Sequence, residues 1–115
     1  RDGTCVRDYI HVVDLVSAHI LALERIQPGV GAIFNVGSEQ GFTVREVVTV
    51  CEKVTGRKIS VVEQPPRAGD PAALVASSRR TRERLDWRPR YPDLEQIIGH
   101  AWDWHRTHPE GYASQ

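Results

Sequence analysis

The chain has 115 residues, 15 of them Lys or Arg and 15 Asp or Glu, so its formal net charge is zero. That balance excludes a global electrostatic pull toward nucleic acid or an anionic membrane, and no apolar run approaches the roughly 18 residues of a membrane span. A hydrophobic content of 40% permits one modest core, because a domain of this size buries only about two-thirds of its unfolded surface.

Residues 4–11 read as a short strand, where β-branched and aromatic side chains are favoured. Arg7 and Tyr9 then project to one face, and Val6, Asp8 and Ile10 to the other. A cation beside a phenol suits an anionic, ring-bearing ligand such as a nucleotide diphosphate. An edge strand with a solvated Arg and a half-buried Tyr has the same pattern. Over residues 12–26 the period becomes helical: Leu15, Ala18, Ala22 and Ile26 recur at three- and four-residue steps, and Val16, Ile20 and Leu23 widen the stripe. So broad a stripe predicts packing on more than one neighbour. Gln27-Pro28-Gly29 ends the helix.

Residues 32–36 read as a second strand and 37–41 as a loop. Thr43 and Glu46 form a capping box for the next helix. Val47, Val48, Val50, Cys51 and Val54 make its buried side, and Gly56 sits where a left-handed C-terminal residue is wanted. Residues 59–62 read as a third strand. The Pro-rich stretch 64–71 must be a loop. Ser77 or Ser78 caps a short helix ending near Leu85, and Asp93 caps a last helix to about His108. On that helix Leu94, Ile97, Ile98, Ala101, Trp102 and His105 share a face. Residues 110–115 read as a mobile tail.

Arg7 and Arg67 are the candidate pair for a diphosphate, since guanidinium forks match phosphate oxygens two at a time. Asp70, in a Gly-containing turn, can accept from vicinal ribose hydroxyls or shape the loop as an Asx-turn. The histidines 11, 19, 100, 105 and 108 gather no Cys or paired carboxylate by spacing, so no metal site is expected. His11 reads as a structural hydrogen bonder at the strand–helix junction. Arg79, Arg80, Arg82 and Arg84 read as a solvated helix face, and Trp87, Trp102 and Trp104 as packing anchors. Cys5 and Cys51, in neither CxxC nor zinc spacing, read as reduced residues of a cytoplasmic protein. The absence of methionine and the opening at Arg1, in mid-motif, suggest a fragment. No GxGxxG turn is present to hold a dinucleotide.

The run from Gly3 to Glu24, the stretch Ile33-Phe34-Asn35-Val36-Gly37-Ser38, the loop Arg67-Ala68-Gly69-Asp70-Pro71, and Leu85-Asp86-Trp87 with Ala101-Trp102-Asp103-Trp104-His105 together resemble UDP-glucose 4-epimerases. These belong to the extended short-chain dehydrogenases/reductases, and the likeness covers residues 2 to about 112 of this chain. It implies an α/β fold: the C-terminal substrate-binding portion of an extended Rossmann-type enzyme, with the dinucleotide-binding half absent. Residues 1–115 would then be the UDP-sugar-binding segment, with 1–36 docking on the missing N-terminal domain. By the same resemblance Arg7 and Arg67 contact the diphosphate, Asp70 the ribose, and Val44 the nucleotide, while Tyr9 lines the site. Leu74 stands at the sugar pocket, where relatives carry either a large aromatic or a smaller residue. Cys5 replaces a common glycine, and Ala68 a common glutamate.

The resemblance further implies reversible C4 hydride transfer between UDP-glucose or UDP-galactose and NAD. NAD would be bound by the missing domain, which would also carry a Tyr-x-x-x-Lys pair. No tyrosine here has a lysine four residues on, so the chain is expected to lack the catalytic centre and to be inactive alone. A homodimer is common in the family. Two alternatives stay open: another nucleotide-sugar short-chain enzyme (a dehydratase, a decarboxylase, or a pentose or uronate epimerase), and a non-enzymatic interaction domain.

Overall fold

A computed structural model describes residues 3–65 and 67–112. Strand β1 (Val6–Asp8) leads into helix α1 (Val12–Glu24), whose N-cap is His11: the His11 Nδ1 accepts the Val13 N–H at 3.0 Å. Strand β2 (Gly41–Thr43) runs directly into helix α2 (Val44–Thr55). The junction is the expected capping box: Glu46 N–H donates to Thr43 Oγ1 at 3.1 Å, and Thr43 N–H to Glu46 Oε2 at 2.7 Å. Gly56 closes α2 with a φ of 67°. Strand β3 (Ala73–Leu74), helix α3 (Arg79–Leu85) and helix α4 (Leu94–Thr107) follow, and Asp93 caps α4 by accepting the Gln96 N–H at 3.0 Å.

The three strands form one sheet in the order β2-β1-β3. β1 pairs antiparallel with β2, placing Arg7 opposite Phe42, and parallel with β3, placing Arg7 opposite Leu74. Ala18, Leu85 and Trp87 make the core, and Ile10, Leu21, Ala22, Phe34 and Val36 pack around them. Trp87 is buried without an orphaned donor, because its Nε1–H is shared between Asp14 O and Ser17 Oγ, both at 3.0 Å. The buried Asp14 carboxylate accepts the Arg90 and Tyr91 N–H groups at 2.8 and 2.9 Å, tying the segment after α3 to α1. Helix α2 packs on α4, with Arg57 over the Trp102 ring and Lys53 paired to Glu95.

Several expectations are corrected. The first strand is confined to Val6–Asp8, and α1 ends at Glu24 rather than residue 26. Residues 32–36 keep the alternation of a strand, with Phe34 and Val36 half-buried, but they pair with no strand among the described residues. The same holds for 59–62, whose Ile59, Val61 and Val62 stay exposed. The sheet instead recruits β2 and β3, from stretches with little strand signal. Ser78 starts α3 but gives it no side-chain cap: its hydroxyl donates to Gly37 O and accepts from Gly37 N–H, both at 2.9 Å. On α4, Ala101 and His105 remain exposed although they share a face with Leu94. Of the expected tail, residues 113–115 lie outside the described residues.

Candidate functional site

Two arginines 60 residues apart in the chain meet at one carboxylate. The Arg7 side chain leaves β1, donates through Nη1 to Val6 O at 2.8 Å, and pairs through Nη2 with Asp70 Oδ1 at 2.8 Å. Arg67 approaches the other oxygen, Nη2 lying 3.6 Å from Asp70 Oδ2. The loop geometry makes this possible. Gly69 takes a φ of 79°, which L side chains resist, and the Asp70 N–H closes the turn on Arg67 O at 3.3 Å. Pro71 then carries the chain into β3, next to β1.

Beside this trio lies an open cleft of about 600 Å³, lined by Cys5, Gln64, Pro65, Arg67, Asp70 and Ala72. The Arg67 side chain is 87% exposed and that of Arg7 only 22%. One guanidinium is therefore held by the fold and the other is free to swing. The trio carries one net positive charge. A diphosphate entering it would compete with Asp70 for both forks, leaving the Asp70 carboxylate to accept from hydroxyl groups.

The other expected site residues lie around this pair. Tyr9 is half-buried one pleat beyond Arg7. Burial pushes its phenol above the ordinary value, the Cys5 and Cys51 thiols add to this, and the Arg7 guanidinium opposes it. Val44 opens α2, its N–H donating to Cys5 O at 3.2 Å, and Leu74 sits on β3 with 61% of its surface exposed. The sheet order puts Val44 and Leu74 on opposite sides of Arg7, so neither lines the cleft of Arg67 and Asp70. Sequence reasoning passed over Gln64 and treated Cys5 as inconsequential on its strand. Both line the cleft, and only the meeting of β1 with the 64–71 loop reveals it. No group of three His, Cys, Asp or Glu is placed to hold a metal ion among the described residues.

Residues 1–37 match the NAD dependent epimerase/dehydratase family. A UDP-glucose 4-epimerase of Halalkalibacterium halodurans is 50% identical over 116 residues, covering 100% of this chain and 35% of its own length. A crystal structure of a UDP-glucose 4-epimerase superposes with a TM-score of 0.88 at 50% identity, over 98% of this chain and 35% of that one. The structure of the Bifidobacterium longum UDP-glucose 4-epimerase in complex with NAD+ and UDP gives 0.86 at 33% identity, over 96% and 33% of the two chains. The chain thus spans about a third of the length of the curated relatives it matches. Similar to UDP-glucose 4-epimerases along its whole length in both sequence and backbone, the chain belongs to the NAD-dependent epimerase/dehydratase family.

Proposed function

We propose that this chain is the nucleotide-sugar-binding part of a UDP-glucose 4-epimerase, which interconverts UDP-glucose and UDP-galactose. The observation that carries the reading is the convergence of Arg7 and Arg67 on Asp70 at the edge of an open cleft. Fixed guanidinium charge on one side and a mobile guanidinium on the other can close on a diphosphate, and Asp70, released from them, can take the ribose hydroxyls. Leu74, across the ladder from Arg7, would face the sugar. Binding energy gathered at the UDP end is remote from the reacting carbon, so the sugar stays free to turn while its nucleotide is held.

The redox step belongs outside these residues. NAD supplies a hydride acceptor when bound, but this chain has neither a Gly-rich turn for its pyrophosphate nor a Tyr-x-x-x-Lys pair. Two features support docking of residues 1–36 on a separate dinucleotide-binding domain. The chain exposes 8866 Å² at 13.0 kDa, against about 6300 Å² for a compact monomer of that mass. Much of α1 is apolar and bare: Val12, Val16, Ile20 and Leu23 are all at least half exposed.

The test is isothermal titration of the chain with UDP, alongside Arg67→Ala. Losing a charge-assisted contact of about 1.5–3 kcal/mol weakens binding roughly 10- to 100-fold. A folded chain that binds UDP equally well with and without Arg67 would remove this site from consideration.

A further inference from the structure

We propose that Asp8 is a positioning residue that sets the register of β3 on β1 and thereby holds Leu74 beside Arg7. The proposal rests on the reading of the cleft as a nucleotide-sugar site and extends it to the sugar end.

Asp8 adjoins Arg7 but projects to the other face of the sheet. Its Oδ1 accepts the Ser38 N–H at 2.9 Å and the Ser38 hydroxyl at 2.7 Å. Its Oδ2 accepts the Glu39 N–H at 3.2 Å and the Ala76 N–H at 3.1 Å. Four donors converge on one side chain, a demand met by a carboxylate and by neither an amide nor a hydroxyl. The enclosure is close: a Cβ on Gly37 would run into Asp8 Oδ2 and stand 2.8 Å from the Ala76 Cβ. The turn that supplies three of the donors is itself braced. Glu39 holds a φ of 62°, accepts the Ser78 N–H at 2.5 Å and pairs with Arg82.

What Asp8 adds is specific to one edge of the sheet. β3 has two residues, aligned Val6↔Ala73 and Arg7↔Leu74, and the Val6 N–H reaches Ala72 O at 2.9 Å. The Ala76 tether, two residues past Leu74, extends this short ladder. β2 has three paired residues and the further bonds Val44 N–H to Cys5 O and Arg45 N–H to Gly3 O, none of which involves Asp8. Loss of the Asp8 carboxylate should therefore release β3 and spare β2. Arg7, held by β1 and β2, keeps its grip on a diphosphate, whereas Leu74 loses its place.

The experiment compares wild type, Asp8→Asn and Ser38→Ala by amide hydrogen exchange and by titration with UDP and UDP-glucose. Asp8→Asn is expected to speed exchange at 73–76 at least about tenfold and to leave 42–45 unchanged. The UDP-glucose to UDP affinity ratio is expected to fall about tenfold, the weight of one charge-assisted hydrogen bond, with UDP binding itself within about threefold of wild type. Ser38→Ala, which spares the Ala76 tether, should leave the ratio intact. If Asp8→Asn does not fold, Ala76→Pro removes the tether alone and should give the same pattern. Uniform exchange across the sheet, or equal weakening of both ligands, overturns the proposal. A wild-type chain that binds neither ligand overturns the nucleotide-sugar reading, and the exchange pattern still decides whether Asp8 sets the register.

Discussion

The pair His11–His100 predicts a stability that falls on mild acidification. His11 Nδ1 accepts the Val13 N–H at the head of α1, so in the neutral ring the proton sits on Nε2. That nitrogen lies 3.0 Å from His100 Nδ1, which must then accept, placing the His100 proton on its Nε2. Only two neutral rings satisfy both bonds. A proton added to His11 sets Nδ1–H against the Val13 N–H, and one added to His100 sets two donors face to face. His11 is 6% exposed; burial lowers its pKa, His100 lowers it further, and Asp14 opposes. The other groups at the junction are Tyr91, stacked 4.6 Å from His11, and His105, which lines the same groove. Because the folded value is depressed, the unfolded chain binds the proton first. The stabilising contribution is complete above the unfolded value of about 6.5 and drains away as pH falls below it. One buried hydrogen bond forfeited costs about 1–3 kcal/mol, against a total of about 5–15 kcal/mol for a typical domain. Urea unfolding followed by tryptophan fluorescence at pH 7.5, 6.5, 5.5 and 5.0 reads this directly, above the range where ordinary carboxylates titrate. His11→Asn keeps a good N-cap and removes the titration, so its profile should be flat. A flat wild-type profile, or a variant that retains the wild-type slope, would refute the tautomer assignment.

Two substitutions away from the cleft test the frame that holds it. Thr43→Ala breaks the capping box at the β2–α2 junction and should cost about 1 kcal/mol, read as a drop of several degrees in the thermal midpoint by circular dichroism. Trp87→Phe keeps most of the ring packing but removes the Nε1–H that links Asp14 O to Ser17 Oγ. A loss of about 1–3 kcal/mol in urea unfolding is expected, and a neutral result would mean that packing alone holds this residue.

Local signals were the legible part. Thr43 with Glu46, Gly56, Asp93 and the 3.6-residue period of α1 and α4 each act within one or two turns of chain, and all four appear where the residues dictate. The pairing of Arg7, Arg67 and Asp70 was legible as a set of motifs but not as a contact, because nothing local brings residue 7 to residue 70. Strands fared worst. Val, Ile and Phe at 32–36 and 59–62 advertise extended backbone more strongly than Gly41-Phe42-Thr43 or Ala73-Leu74, yet the weaker pair forms the sheet. Strand formation needs a ladder partner, and β-propensity mostly measures fit to a pleated, half-buried surface. Asp8 and Asp14 were invisible as organisers for the same reason: their partners lie 30 or more residues away.

The excess of exposed surface and the unpaired strand-like run have one physical explanation on the proposed reading. With a radius of gyration of 17.0 Å, the chain is more open than the about 13 Å expected of a compact domain of its length. Its buried core is small, centred on Ala18, Leu85 and Trp87, while the flank of α1 offers Val12, Val16, Ile20 and Leu23 to solvent. Ile33, at 78% exposed, alternates with half-buried Phe34 in a stretch that has strand character but no ladder. Such a stretch and such a helix face are what a segment retains when its neighbours in a larger α/β sheet are supplied by another part of the protein. The cleft of Arg7, Arg67 and Asp70 depends on neither, since β1, β2, β3 and the 64–71 loop close upon themselves. The nucleotide end of the site can therefore be preformed here even though the apolar flank awaits its cover, which is why titration of this chain with UDP is informative before any second domain is added.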